Sequence, residues 1–545
     1  MYIKRALSCC FLLLLLGNFA LAQQTDTIKT GKLIIVEGAE RYNFQQINDS
    51  TQLVSLAGKA FVRQGKASFY ADSIVLNQKN NLLEAFGNVH INDADSVHTY
   101  ANYLKYLGKE RKAFLNGNVK LTDGKGVLTT QELTYDVATK MGTYYKGGKL
   151  VNGKSVLTSE EGYYYGETRD VYFKKKVVLV NPDGKLTTDT LLYNNSTQIA
   201  SFVAPTNIIN GKRTIKTKDG FYDMRLKKAQ LGKRPFINDS TYTFTADEAV
   251  IDDSTGLSQY RGNAVYRSKD SVNGYDLIAN DIKVNKKKNA VLATEKPLLL
   301  IKQKKDTTFI TADTLFAGKI SELKKLKTIP DVRNTEPKDS SLTIQKSAIK
   351  DTTNDQFFEA YHHVKIFADS LQAVCDSLFY SLEDSTFRLF KDPVVWTQSN
   401  QITGDTIFLF LENKQPEKLS VFENAMMLQK LTDNYFNQIK SNTINAFFKK
   451  GKIDFLKAKG NAETVYYGQD DYNKFAAVNK STCDVIDLFF ERKSEETRPQ
   501  KIVMRNNLKG TAFPMGQVNH LEIRLRKFKW QENIRPKSRF DILAN

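Results

Sequence analysis

Gly87-Asn88-Val89-His90-Ile91 is followed, thirty residues on, by Gly117-Asn118-Val119-Lys120-Leu121. In both, a Gly-Asn step leads into an apolar-polar-apolar alternation. Gly and Asn both tolerate positive φ, so the step reads as a turn. The alternation reads as a strand with one buried face. The step returns at Gly262-Asn263-Ala264 and Gly460-Asn461-Ala462, with a looser form at Gly58-Lys59-Ala60.

Working outward, a second column appears about half a period away. An acidic or amide residue stands at Asp72, Asn102, Glu132, Glu161, Asp189, Asp219, Asp247, Asn280, Asp313, Asp376 and Asp405, at spacings of 30, 30, 29, 28, 30, 28, 33, 33, 63 and 29. The long step predicts a unit that lost its marker or had it displaced. Two and four residues past each marker the side chains are mostly apolar and share one strand face, with Asp136 and Asp223 as exceptions. No helical period competes over a long stretch. A unit of this size cannot bury its apolar face alone, whereas stacked units can.

The array defines the expected domains. Residues 1–22 read as a secretory signal, with Lys4 and Arg5, an apolar run containing Leu12 to Leu16, and Ala20-Leu21-Ala22 for cleavage. Residues 23–320 form the first repeat block. Residues 321–355, polar and holding Pro330 and Pro337, read as a linker or insertion. Residues 356–484 form a second block, and 485–545 a C-terminal tail expected to cap the end of the sheet.

The chain has 79 Lys+Arg against 60 Asp+Glu, a formal net charge of +19. Such a balance suits anionic partners. Export argues against nucleic acid and for phosphorylated lipids or acidic glycans. Removal of the signal leaves Cys375 and Cys483, which an oxidising compartment permits to pair and which read equally well as two buried thiols.

Enzyme chemistry finds little support. His362-His363 is the one histidine cluster, and neighbours on a strand face opposite ways, so the two are poorly placed to share a metal. Phosphate-binding, zinc-protease and nucleophile-elbow motifs are missing from the sequence. No catalytic residue, metal or cofactor is assigned.

The recurring Gly-Asn-apolar step, the marker and the strand after it resemble the OstA-like, LptA-like family of lipopolysaccharide transport, related also to the N-terminal periplasmic domain of LptD. The pattern is clearest from Lys391 to Ala425, where Asp392-Pro393-Val394-Val395-Trp396 leads to Gly404-Asp405-Thr406-Ile407 and then Glu423-Asn424-Ala425. The likeness runs over roughly residues 30 to 480. The length, the insertion and the tail depart from a minimal bridge protein, and no outer-membrane barrel follows the repeats.

The resemblance implies an all-β, elongated repeat of antiparallel strands forming a twisted V-shaped β-taco, or β-jelly-roll, groove in two blocks. It implies a protein of the periplasm, free there or associated with the outer membrane, that carries or bridges lipopolysaccharide or a similar anionic lipid to the outer membrane. Its partners would be inner- and outer-membrane transport components, with end-to-end self-association and no nucleic acid. The expected groove lining is Ile74, Leu76, Val89, Ile91, Leu104, Tyr106, Val119, Leu121, Leu191, Tyr193, Leu378 and Ile407. Two other readings fit the residues: a structural or adhesive repeat protein with a closed core, and a translocon-docked module of an outer-membrane assembly complex.

Overall fold

The computed structural model describes residues 34–48, 51–93, 97–272, 274–302, 307–330, 332, 355–412, 415–449, 452–470, 472, 474–493 and 496–543. The expected signal and most of 321–355 lie outside the described residues. Among the described residues the architecture is antiparallel β throughout, with two short helices and two 3₁₀ turns. Contacts divide the chain into two units that meet at Thr143 and Tyr144.

The Gly-Asn step is a bulge in mid-strand rather than a hairpin turn. Strand Leu82–Asp93 pairs with Val97–Leu107 on both sides of Gly87-Asn88, with a register shift between Phe86 and Val89. Gly87 has φ +71° and Asn88 φ +43°. Two consecutive left-handed residues bend the strand, so its halves enter two different layers. A Cβ on Gly87 would lie 2.2 Å from Asp72 Oδ2, so glycine is required there for space as well as for φ.

The two sequence columns meet at this corner. Asn88 Nδ2 donates to Asp72 at 3.0 Å, Asn263 to Asp247 at 2.9 Å, and Asn424 to Asp405 at 3.0 Å. Elsewhere basic pairs with positive φ, Lys175-Lys176 and Lys233-Arg234, take the bulge position. Their ion pairs run to Glu161 at 2.5 Å, Glu160 at 2.6 Å, Asp219 at 3.6 Å and Asp247 at 2.9 Å. Each of these markers is thus one half of a polar corner. The apolar residues beyond it on either side form two arms.

The arms end in hairpins that explain the two exceptions. Asp136 accepts the backbone N–H groups of Ala138 and Thr139, and Asp223 those of Arg225 and Leu226, at 2.9–3.0 Å. They are turn-forming carboxylates at arm tips.

In unit 1 the register lines up continuous apolar rows. One arm carries Leu56, Ile74, Ala85, Leu104, Leu115 and Leu133 in a single row of paired residues. Val62, Phe69, Ile91, Thr99, Leu121 and Leu128 form a row on the other arm. The arms face each other: the Phe69 and Tyr106 rings lie 5.0 Å apart, and Tyr106 Oη donates to Gln64.

In unit 2 the step of 63 is an enlarged turn rather than a lost unit. The 38 residues between Gly318 and Phe357 stand where other units have a short arm-tip turn, such as 108–111. Strands on either side of the insertion pair directly, Ile310 with Ile366 and Leu315 with Ala360. The insertion opens with helix Ile320–Leu326, within the stretch read as a linker. Its Ile320 packs on Phe357 and Phe379, on an outer face.

Unit 2 closes with strand Phe475–Lys493, paired with Glu496–Arg505 and Lys509–Pro514. The tail then runs back over an outer face instead of covering the last strand, whose residues stay largely exposed. Ile523 and Leu525 pack with Met426, Leu428, Val465 and Tyr467. Gln401 donates to the Lys529 carbonyl at 2.7 Å and Arg535 donates to Gln372 at 2.7 Å. The tail is therefore a strap across successive strands.

Candidate functional site

An apolar concavity lies in unit 2, between the two arms. It is a cavity of about 400 Å³. On one arm the register sets Leu277 beside Leu299, then Ile310, Ile366, Ala373 and Val395 in one row. On the other it sets Val291 beside Ala317, then Phe358, Tyr380, Phe387, Leu409 and Leu419. Residues of both rows line the cavity. Two apolar ladders facing each other across open space would hold a flexible hydrocarbon without demanding hydrogen bonds from it.

The surroundings brace this region from outside. Beneath helix Ile320–Leu326, Lys327 pairs with Glu359 at 2.7 Å, and the Arg388 guanidinium lies 5.1 Å from the centre of the Phe379 ring. At the mouth, Lys302 pairs with Asp276 at 2.7 Å.

The residues expected to line a groove all point inward. Ile74, Leu76, Val89, Ile91, Leu104, Tyr106, Val119 and Leu121 are buried in unit 1, at most 4 % exposed. They fill the interior against one another and against the facing arm. Leu191, Tyr193, Leu378 and Ile407 are equally buried in unit 2. Burial pushes the Tyr193 hydroxyl up to about 12. Of all these residues, only Ile407 touches the cavity; Leu378 sits in the same row, two strands away through Leu389.

A large part of the lining falls between residues 274 and 317, around markers Asn280 and Asp313, where the sequence offers two signals. One is the dense run Leu298-Leu299-Leu300-Ile301. The other is the widened spacing of 33 residues.

The histidines are structural in placement. His362 and His363 occupy a corner bulge with φ +60° and +52°, replacing Gly-Asn. Nδ1 of His362 lies 3.1 Å from Asp376, and that of His363 lies 2.9 Å from Asp313, so each serves a different marker. The His362 contact is the main cause holding the Asp376 carboxyl below the usual range, with Lys391 adding to it. His90 and His98 lie 3.1 Å apart, and the His90 ring stacks on Tyr100 at 4.5 Å. Burial, then His98, lowers the His90 pKa. Among the described residues no group of three or more His, Cys, Asp or Glu could hold a metal ion. Cys375 and Cys483 are free and buried.

Residues 31–189 and 174–247 match the family described as OstA-like protein. A similar solved structure is LptH from Pseudomonas aeruginosa, the LptA-homologous periplasmic component of its lipopolysaccharide transport device. The likeness covers 20% of this chain and 80% of LptH, at 15% identity and a TM-score of 0.18. No curated protein matches the chain. Together the two matches span residues 31–247, about two fifths of the chain, and over that stretch the chain is similar to the OstA-like family.

Proposed function

We propose that this chain is a periplasmic, non-enzymatic transport protein that holds the acyl chains of lipopolysaccharide, or a similar anionic lipid, in the unit 2 groove and carries or bridges it to the outer membrane. The observation that carries this is the pair of facing apolar ladders around a cavity of about 400 Å³. A hydrocarbon chain gains about 0.8 kcal/mol for each methylene removed from water, so a lining of this kind retains acylated molecules in an aqueous compartment. The basic balance of the chain suits the phosphates of such a lipid.

The proposed partners are inner- and outer-membrane transport components. Two exposed strands offer edges for them or for a second copy: Arg41–Asn48 in unit 1 and Lys509–Pro514 in unit 2. Residues 1–22 are the proposed export signal. Among the described residues no helix is long and apolar enough to cross a membrane.

A second reading applies to unit 1. There the Phe69 and Tyr106 rings touch across the arms at 5.0 Å, which favours a closed structural core. Photo-crosslinking separates the two. A benzophenone side chain at Leu389 or Leu315 is expected to capture labelled lipopolysaccharide, whereas one at Leu104 is not. Capture from outward-facing positions such as Tyr100, with none from Leu389 or Leu315, would overturn the proposal.

A further inference from the structure

The cavity does not extend at constant width through unit 2. Between residues 152 and 253 polar groups from the tips of the two arms meet across the mouth. Asn152 Nδ2 donates to Asn195 Oδ1 at 2.7 Å and to the Asn195 carbonyl at 3.1 Å, and Gln198 donates to Asn152 at 3.2 Å. One repeat further on, Asp183 accepts from Lys227 Nζ at 3.0 Å and from Tyr222 Oη at 3.2 Å. One more repeat on, Arg213 lies 3.6 Å from Asp253. Asn152, Asp183 and Arg213 belong to one arm, and Asn195, Gln198, Tyr222, Lys227 and Asp253 to the other.

The space beneath these contacts is small. A cavity of about 60 Å³ remains between Leu179, Leu186 and Ile215 of one arm and Leu231 and Ile251 of the other. Downstream the same two arms enclose about 400 Å³. The apolar rows continue through both regions, so composition of the lining does not account for the difference. The cross-arm polar contacts stand where the interior is narrow.

We infer that these contacts form a latch, which holds the arms together over residues 152–253 and gates passage between this stretch and the cavity. The gating claim rests on the reading of the cavity as a lipid site; the closure itself does not. Its chemistry suits reversible opening. Asp183, Lys227 and Asp253 are partly exposed, with side-chain exposures of 30%, 51% and 39%, so water replaces each partner at modest cost when the arms part. Asn152 and Asn195 are more deeply buried and give the latch its closed register.

The test uses the full chain with spin labels at Lys212→Cys and Ser254→Cys, exposed positions on opposite arm tips. Pulsed dipolar spectroscopy then reads their separation. With the latch intact, one narrow short-distance population is expected. Asp183→Ala with Arg213→Ala should shift it to longer and broader distances. It should also speed loading of cis-parinaric acid, a fluorescent fatty acid, by about tenfold, on the scale of losing two modest polar contacts. Lys227→Met, a milder change at the same contact, should shift both readouts in the same direction by less.

An unchanged separation in both variants overturns the latch. A wider separation without cis-parinaric acid binding to any form leaves the closure standing and overturns the lipid reading instead. Wider arms with unchanged loading overturn the gating role.

Discussion

Substituting Ala317→Trp would block the cavity from within. Ala317 sits between Val291 and Phe358 in the register of one ladder and lines the open space. Burying on the order of 100 Å² of indole surface contributes about 2.5 kcal/mol at ~25 cal/mol/Å². Crowding against facing side chains costs about 1–3 kcal/mol, so stability should change by only about 1 kcal/mol either way. The effect on cargo is larger. Excluding about four methylenes of an acyl chain forfeits roughly 3 kcal/mol, which is about two orders of magnitude in affinity. Fluorescence titration with cis-parinaric acid, alongside thermal unfolding, measures both quantities. The expected result is a large loss of binding with a nearly unchanged melting temperature. Ile209→Trp, on an exposed surface of the same unit, serves as the control and should bind normally. Unchanged affinity in Ala317→Trp, with the fold intact, would refute the assignment of the cavity as the acyl site.

Other substitutions probe the framework. Leu104→Asp places a carboxyl where exposure is 0%, and loss of the leucine with burial of an unpaired polar group should cost more than about 4 kcal/mol, read by urea denaturation. Gly87→Ala forces a side chain into φ +71° and against Asp72, so it should destabilise by more than about 1 kcal/mol. Adding Asp72→Ala should recover the steric part only, and full recovery would remove the argument from backbone strain. Alkaline pH should weaken the fold. Burial pushes Tyr144, Tyr193 and Cys375 up to about 12 from ordinary values of 10, 10 and 9. Between those values and about 12 the unfolded chain loses these protons while the folded chain keeps them, so stability falls as pH rises through that window. Denaturation midpoints that stay flat from pH 9 to 12 would contradict this.

The periodic part of the fold was legible because corner chemistry is local. A bulge with two left-handed residues favours Gly-Asn, and its partner must be short and polar, so Asp72, Asp247 and Asp405 stand out in the sequence. The role of the step was harder to read. A Gly-Asn pair signals a turn equally well, and only the pairing of Leu82–Asp93 on both sides of it reveals a bend within one strand. Corners built from Lys233-Arg234 or His362-His363 carry no such signature, since their positive φ is imposed by the neighbouring ladder and its ion pairs.

Facing was also legible: positions two and four past Asp72 and Asn102 are Ile74, Leu76, Leu104 and Tyr106, all buried. Whether an inward face is packed or open was not. That depends on the distance between arms, which Asn152, Asp183 and Arg213 help to set through partners 39 to 46 residues away. Single-residue patterns do not encode such contacts. The tail gave no thirty-residue signal because it crosses the strands instead of joining them, and its buried anchors Ile523 and Leu525 lie in a short basic segment without marker or Gly-Asn step.

Native mass spectrometry of the protein, extracted gently from the bacterial envelope, tests the central claim most directly. A bound species is expected whose mass is that of an acylated, phosphorylated lipid, present in the unaltered chain and lost in Ala317→Trp. Lipid-free protein under the same conditions, or a bound lipid equally abundant in Ala317→Trp, would contradict it.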